Sequence, residues 1–294
     1  MPFLGELSAL LTALLWSGSS IVFASAIKRI GSVHVNVARL VIAAILLLAT
    51  ILAMRLDVQL SWSQIGNLAV SGIIGLVFGD TFLFQSYVYN GARISMLIMS
   101  VAPAISALLA YFLIDEVLSL WGVLGMLVTI GGIAIVASDR REDGKHSLTR
   151  IGLVYGFFGA LGQGAGLIFA RLAFDEGEIH GLVATFVRVV PAIFLLFPLA
   201  VLTKRLQYPI RTLSKDKRAL VLTSLGALLG PYFGITFSLI AVAHTKVGIA
   251  ATLMGTSPIM MLPMVRFLQK EVLTWRAILG AFVAVAGVAI LFLR

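Results

Sequence analysis

The chain has 294 residues, 60% of them hydrophobic and only 12% charged, with a net charge of +9 and no cysteine. A soluble domain averages about half apolar and about a quarter charged residues, so this composition excludes an ordinary water-soluble globule and points to a hydrocarbon solvent. The missing cysteines exclude a disulfide framework and a thiolate metal site.

A hydrocarbon core about 30 Å thick needs about 20 apolar residues per helix. In chain order the stretches that qualify are 5–27, 33–54, 64–89, 92–113, 119–137, 150–170, 181–202, 217–240, 247–267 and 275–293. The sequence therefore predicts an all-α integral membrane protein with ten transmembrane helices. The first run is expected to be a retained span: Glu6 stands where a signal peptide carries a basic residue, and Lys28 and Arg29 follow directly. Most gaps are a few residues long, so consecutive helices are expected to be antiparallel neighbours. The longest polar gaps are Ser138–Thr149 and Thr203–Asp216. The expected units are residues 1–139, a cytoplasmic linker at 140–149, and residues 150–294.

The four histidines, His34, His146, His180 and His244, are too scattered for zinc-ligand spacing, and no metal or cofactor is expected. The basic residues lie in short gaps with no groove-reading module, which suits lipid headgroups and argues against nucleic acid. Sixteen of the 22 Lys and Arg follow helices 1, 3, 5, 7 and 9, and four (Arg55, Arg171, Lys246, Arg294) lie on the other side. The positive-inside rule then places the odd-numbered loops in the cytoplasm of a cell (inner) membrane and both termini outside.

An internal repeat decides the architecture. A shift of 155 residues lays Val101–Val136 on Thr256–Leu291 without a gap, with 12 identities in 36 positions. Pro103 meets Pro258, Glu116-Val117-Leu118 meets Glu271-Val272-Leu273, and Gly125 and Gly132 meet Gly280 and Gly287. The same shift pairs Gly75 with Gly230, Gly79 with Gly234 and Thr81-Phe82 with Thr236-Phe237, while a shift of 149 pairs Arg39 with Arg188. Five helices per half is an odd number, so the second half enters the membrane from the opposite side. The expected fold is two inverted five-helix repeats around a central cavity, with substrate bound near the midplane.

These motifs, Pro103, Glu116 and Gly125 with their copies and one Arg in helices 2 and 7, resemble the drug/metabolite transporter superfamily, EamA type, over the whole chain. The resemblance implies a basket of helices 1–4 and 6–9 with helices 5 and 10 outside it, and export of metabolites, amino acids or toxic compounds. Many members resemble a termini-in arrangement; the charges here argue for termini outside.

A charge at the centre of a span costs about 2.5–3.5 kcal/mol on insertion scales, so the charges kept there are informative. Asp80 lies about sixteen residues into helix 3, with Phe84 and Tyr87 on its face; it is either a proton-coupling or cation-binding carboxylate or a structural partner of Arg39 or Arg188. Arg39 and Arg188 either bind a substrate anion or snorkel to headgroups and cap helix ends. Trp16 and Ser17 in helix 1 align with Gln163 and Gly164 in helix 6, and a mid-span Trp is either an aromatic floor for an amphipathic ligand or packing against a glycine-rich neighbour. Gln163 and Gln85 are mid-span amides that need partners. Tyr232 and Thr236 share a face of helix 8 and are further cavity candidates. Pro103 and Pro258 are either hinges or static bends.

Six glycines of helix 6, from Gly152 to Gly166, suit close helix packing more than they suit opening a cavity. Ser119 and Thr274 look like N-caps beside Glu116 and Glu271, and methionines of helices 4 and 9 are either plain packing or a soft lining for varied ligands. The partners implied are a small-molecule solute, the bilayer and a proton as coupling ion, in a monomer or homodimer. An embedded enzyme lacks convergent catalytic groups, and a selective channel lacks a ring of charges.

Overall fold

The computed structural model describes residues 3–137, 149–269 and 274–292. The first half comprises α1 (Leu4–Ile30), α2 (Ser32–Met54), α3 (Trp62–Gly72), α4 (Asp80–Met99), α5 (Ala102–Ile114) and α6 (Leu120–Ala137). The second comprises α7 (Arg150–Asp175), α8 (Gly181–Leu202), α9 (Pro209–Lys215), α10 (Lys217–Ala227), α11 (Ile235–His244), α12 (Val247–Met254), α13 (Ser257–Gln269) and α14 (Trp275–Phe292). Two π-helical segments, Ile73–Gly79 and Leu228–Gly234, join α3 to α4 and α10 to α11. No strand occurs among the described residues. The 140–149 linker lies outside them but for its last residue, and so does Glu271.

Seven helical stretches are long and apolar enough to cross a membrane, and three shorter apolar helices, Ala102–Ile114, Leu120–Ile135 and Ile278–Ile290, accompany them. Leucine, isoleucine and phenylalanine cover the outside, for example Ile45, Leu52, Phe112, Phe194 and Phe282, while Arg39, Asp80 and Arg188 are buried. Water would oppose this distribution; lipid accepts it.

The 155-residue shift found in the sequence carries over to the elements. It lays α3 on α10 and one π segment on the other at both ends, and it superimposes the first residues of α5 and α13, and of α6 and α14. Chain breaks fall where local chemistry puts them. Gly91, at φ 72° and ψ 169°, divides α4 between the two predicted spans, a conformation that only glycine adopts freely. The Ser61 hydroxyl accepts from the Gln64 amide, Ser119 from Gly122, Thr149 from Gly152 and Asp216 from Ala219, each satisfying an orphan amide at a helix start.

Small residues set how closely the helices pack. Helix α7 runs antiparallel along α4, the π segment and α3: Gly152 abuts Asn90, Gly159 abuts Leu83, Gly162 abuts Gly79, and Gly166 abuts Gly75 and Ser71. The equivalent helix α1 runs antiparallel along the second copy, with Gly5 against Thr245, Trp16 against Gly234, Phe23 against Gly226, and Arg29 paired with Asp216 at 2.7 Å. Helices α6 and α14 cross antiparallel, Gly132 on Gly280 and Gly287 on Gly125. The 155-residue shift maps those last two contacts onto each other.

Candidate functional site

Two spans break just before a proline. Pro103 and Pro258 lack an N–H and crowd the preceding turn, so helix stops at Ser100–Val101 and Gly255–Thr256 and restarts as α5 and α13. Hydroxyls near the breaks take up carbonyls: Ser100 donates to Leu97, Thr256 to Leu253 and Ser257 to Met254, at 2.5–2.8 Å. Between the two breaks lies a cleft whose empty volume, mouth included, is about 440 Å³.

Its lining repeats the internal symmetry. Trp16 faces Gln163, its equivalent, and Met96 and Ala251, Met99 and Met254, Ser100 and Gly255, and Pro103 and Pro258 line it as further equivalent pairs. The wall is mainly apolar, with Gln163, Ser100 and Ser257 as its polar residues. Gly234 lets the indole of Trp16 lie against helix backbone, since a Cβ there would sit 2.7 Å from the ring.

Behind Gln163 is a buried ionic cluster. The Gln163 amide donates to Asp80 Oδ1 at 2.5 Å and to the Gly75 carbonyl at 3.4 Å. Asp80 Oδ2 accepts from Arg39 at 2.5 Å, and the side chains of Arg39 and Asp80 are 5% and 7% exposed. Arg39 also donates twice to Asn36 Oδ1, at 3.0 and 2.8 Å, and Asn36 donates to Thr81 at 3.1 Å. The guanidinium lies 4.7 Å from the Phe84 ring centre and 5.6 Å from that of Phe23, a cation–π seat in a dry interior. Arg188 packs its backbone and stem on Gly72 and its guanidinium on Gly75. Its Nε has no hydrogen-bond partner among the described residues.

The structure brings Trp16, Gln163, Pro103 and Pro258 to one cleft and places Asp80 and Arg39 one residue behind it. The snorkelling reading of the arginines is overturned: Arg39 is 4% and Arg188 2% exposed, both turned inward. The structural pairing of Asp80 with Arg39 is found. Five further candidates sit away from the cleft lining. Ser17 is buried and donates to the Ser257 carbonyl at 2.7 Å, tying α1 to the start of α13. Gln85 donates to Ser32 at the first residue of α2, so it lies at one end of the bundle. Tyr232 bonds Thr50, and Thr236 bonds Thr185, linking α2 and α8 to the second π segment and α11. Phe84 is covered by Arg39.

Sequence reading passed over Asn36, whose position three residues before Arg39 on one helix face was its available signal. Glu116 accepts from the Val247 and Gly248 amides at 2.8 and 3.2 Å and caps α12, a structural role.

A helical bundle with an apolar exterior, buried ions and a cleft at paired helix breaks defines a multi-pass membrane protein of the transporter kind. The chain belongs to the EamA-like transporter family, whose profile matches residues 3–138 and 150–293. A solved structure described as the crystal structure of a protein is 18% identical over 97% of this chain and 95% of its own, with a TM-score of 0.76; at that identity the likeness is one of fold. A search of curated proteins returned no match.

Proposed function

We propose that this chain is a secondary active transporter that moves small amphipathic solutes, such as metabolites, amino acids or drug-like compounds, by alternating access. The observation that carries the reading is the cleft itself. Equivalent residues of both halves line it where two spans are broken, the arrangement expected of a site opened to either face in turn. Dividing Trp62–Met99 at Gly91 and joining each broken span across its proline gives ten spans. The antiparallel crossing of α6 on its own copy α14 supports an inverted relation between the halves. Methionines and Trp16 suit an apolar solute body, and Gln163 suits a polar end. The basic odd-numbered loops support a cytoplasmic side for those loops and an outer side for the termini.

Proton coupling through Asp80 belongs to the same reading. A carboxylate held by Arg39 and touched by a cleft amide can pass solute binding on to a protonation event. The test is reconstitution into proteoliposomes and counterflow across a panel of amino acids, nucleobases and toxic analogues. Absence of counterflow in both orientations overturns transport by this chain. With a substrate in hand, Asp80→Asn should lose accumulation driven by a pH gradient while keeping exchange; normal accumulation would remove Asp80 from the coupling.

A further inference from the structure

Two arginines occupy equivalent positions in the two halves, and both are almost wholly buried. One carboxylate stands between them, because the copy of Asp80 is Ile235. In the present arrangement Asp80 is committed to Arg39 at 2.5 Å, and Arg188 keeps an Nε without a partner among the described residues. Arg188 lies within the field of Asp80 but has no anion in direct contact among the described residues. A buried cation held so is costly in a medium of low dielectric, so this arrangement invites another that brings the two together.

The geometry shows where relief lies. The Arg188 guanidinium rests on Gly75, at the head of the helical turn that ends at Asp80, and a Cβ at Gly75 would come within 2.5 Å of it. Gln163 bridges the two levels, donating both to the Gly75 carbonyl and to Asp80. The stretch between them is the π segment Ile73–Gly79, and the Asp80 amide donates to the Gly75 carbonyl across it. A π register holds one residue more than an α turn, and shifting that extra residue along the helix turns Asp80 by about 100° about the axis. The equivalent π segment of the second half carries no carboxylate at its end.

We infer that Arg188 is the second counter-ion of Asp80: the single carboxylate pairs with Arg39 when the bundle opens to one face and with Arg188 when it opens to the other. This rests on the alternating-access reading and assigns to that cycle the pair of arginines whose positions the repeat fixed. Gln163, in contact with both the cleft and Asp80, is the group through which an occupied cleft biases the choice.

The chain has no cysteine, so Met99→Cys on the cleft wall provides a unique reporter. In sealed vesicles of each orientation, labelling by a membrane-impermeant maleimide measures how often the cleft opens to either face. Arg39→Gln is expected to move the labelling ratio several-fold toward one face and Arg188→Gln several-fold toward the other. Ile235→Asp gives Arg188 a carboxylate of its own and is expected to shift labelling in the same direction as Arg188→Gln. Shifts of both arginine variants in one direction, or in neither, overturn the sharing of Asp80. An Ile235→Asp protein that labels like its parent, or that no longer folds, also counts against it, because the inference requires Arg188 to accept a carboxylate at that position. A reporter that labels from one face alone before any charge is changed refutes alternating access itself; two-sided labelling without divergence refutes only the sharing.

Discussion

Gly162→Ala tests whether close packing of α7 is what brings the cleft to Asp80. A Cβ at residue 162 would lie 2.6 Å from Gly79 Cα, 2.8 Å from Gly79 N and 2.9 Å from the Ile74 carbonyl. All three are backbone atoms, so no side chain can rotate away. Carbon atoms sit comfortably at about 3.5–4.0 Å, and α7 therefore moves off by about 1 Å. The same movement takes the Gln163 amide from 2.5 Å to about 3.5 Å from Asp80, past the range of a hydrogen bond. Overpacking costs about 1–3 kcal/mol and the lost bond to a charged acceptor about 1.5–3 kcal/mol, offset by about 1 kcal/mol of helix propensity. The expected net loss is about 1.5–5 kcal/mol. Gly66→Ala, in α3, is the control: a Cβ there meets nothing within 4 Å, so the variant is expected to gain about 0.5–1 kcal/mol. Unfolding in detergent gives both values, and proteoliposome transport shows whether Gly162→Ala uncouples the cleft. If Gly162→Ala proved as stable as Gly66→Ala, with transport unchanged, the reasoning would be refuted.

Other outcomes follow from single contacts. Glu116→Ala removes both acceptors at the start of α12 and is expected to cost about 1–2 kcal/mol; an unchanged melting temperature would show that water replaces the cap without loss. Replacing Pro103 and Pro258 together by alanine restores two donors and lets helix run through the breaks. The double variant is expected to melt higher and to exchange solute more slowly, and unaltered exchange would deny the breaks a hinge role. Asp216 is held below its ordinary value of 3.8 chiefly by the hydrogen bond from Arg29, with help from the Ala219 amide. A depressed folded value means that this contact stabilises above the ordinary value and is lost as pH falls through the lower one. Asp216→Asn should therefore flatten the acid side of the stability curve, measured by melting temperature against pH; parallel curves would show that the surface pair contributes nothing.

Composition and periodicity alone determined that the chain is helical and lives in lipid, because apolar runs of span length have no other stable solvent. The repeat was equally legible: prolines, glutamates and glycines in register place the helix breaks and the small-residue contacts, and the structure keeps the 155-residue shift in its elements. Asp80, Gln163 and Trp16 could be picked out because a polar or amphipathic group inside a span is costly. What they do to one another was not legible. Whether Asp80 pairs with Arg39 or Arg188, whether Gln163 reaches it, and whether Gln85, Ser17, Tyr232 and Thr236 face the cleft or a neighbouring helix depend on helix rotation and spacing. Those are fixed by contacts between residues far apart in the chain, such as Gly162 on Gly79 and Gly166 on Gly75. The π segments were hidden for the same reason, since a one-residue change of hydrogen-bond register leaves the apolar pattern of a span almost untouched while turning Asp80 toward one neighbour and away from another.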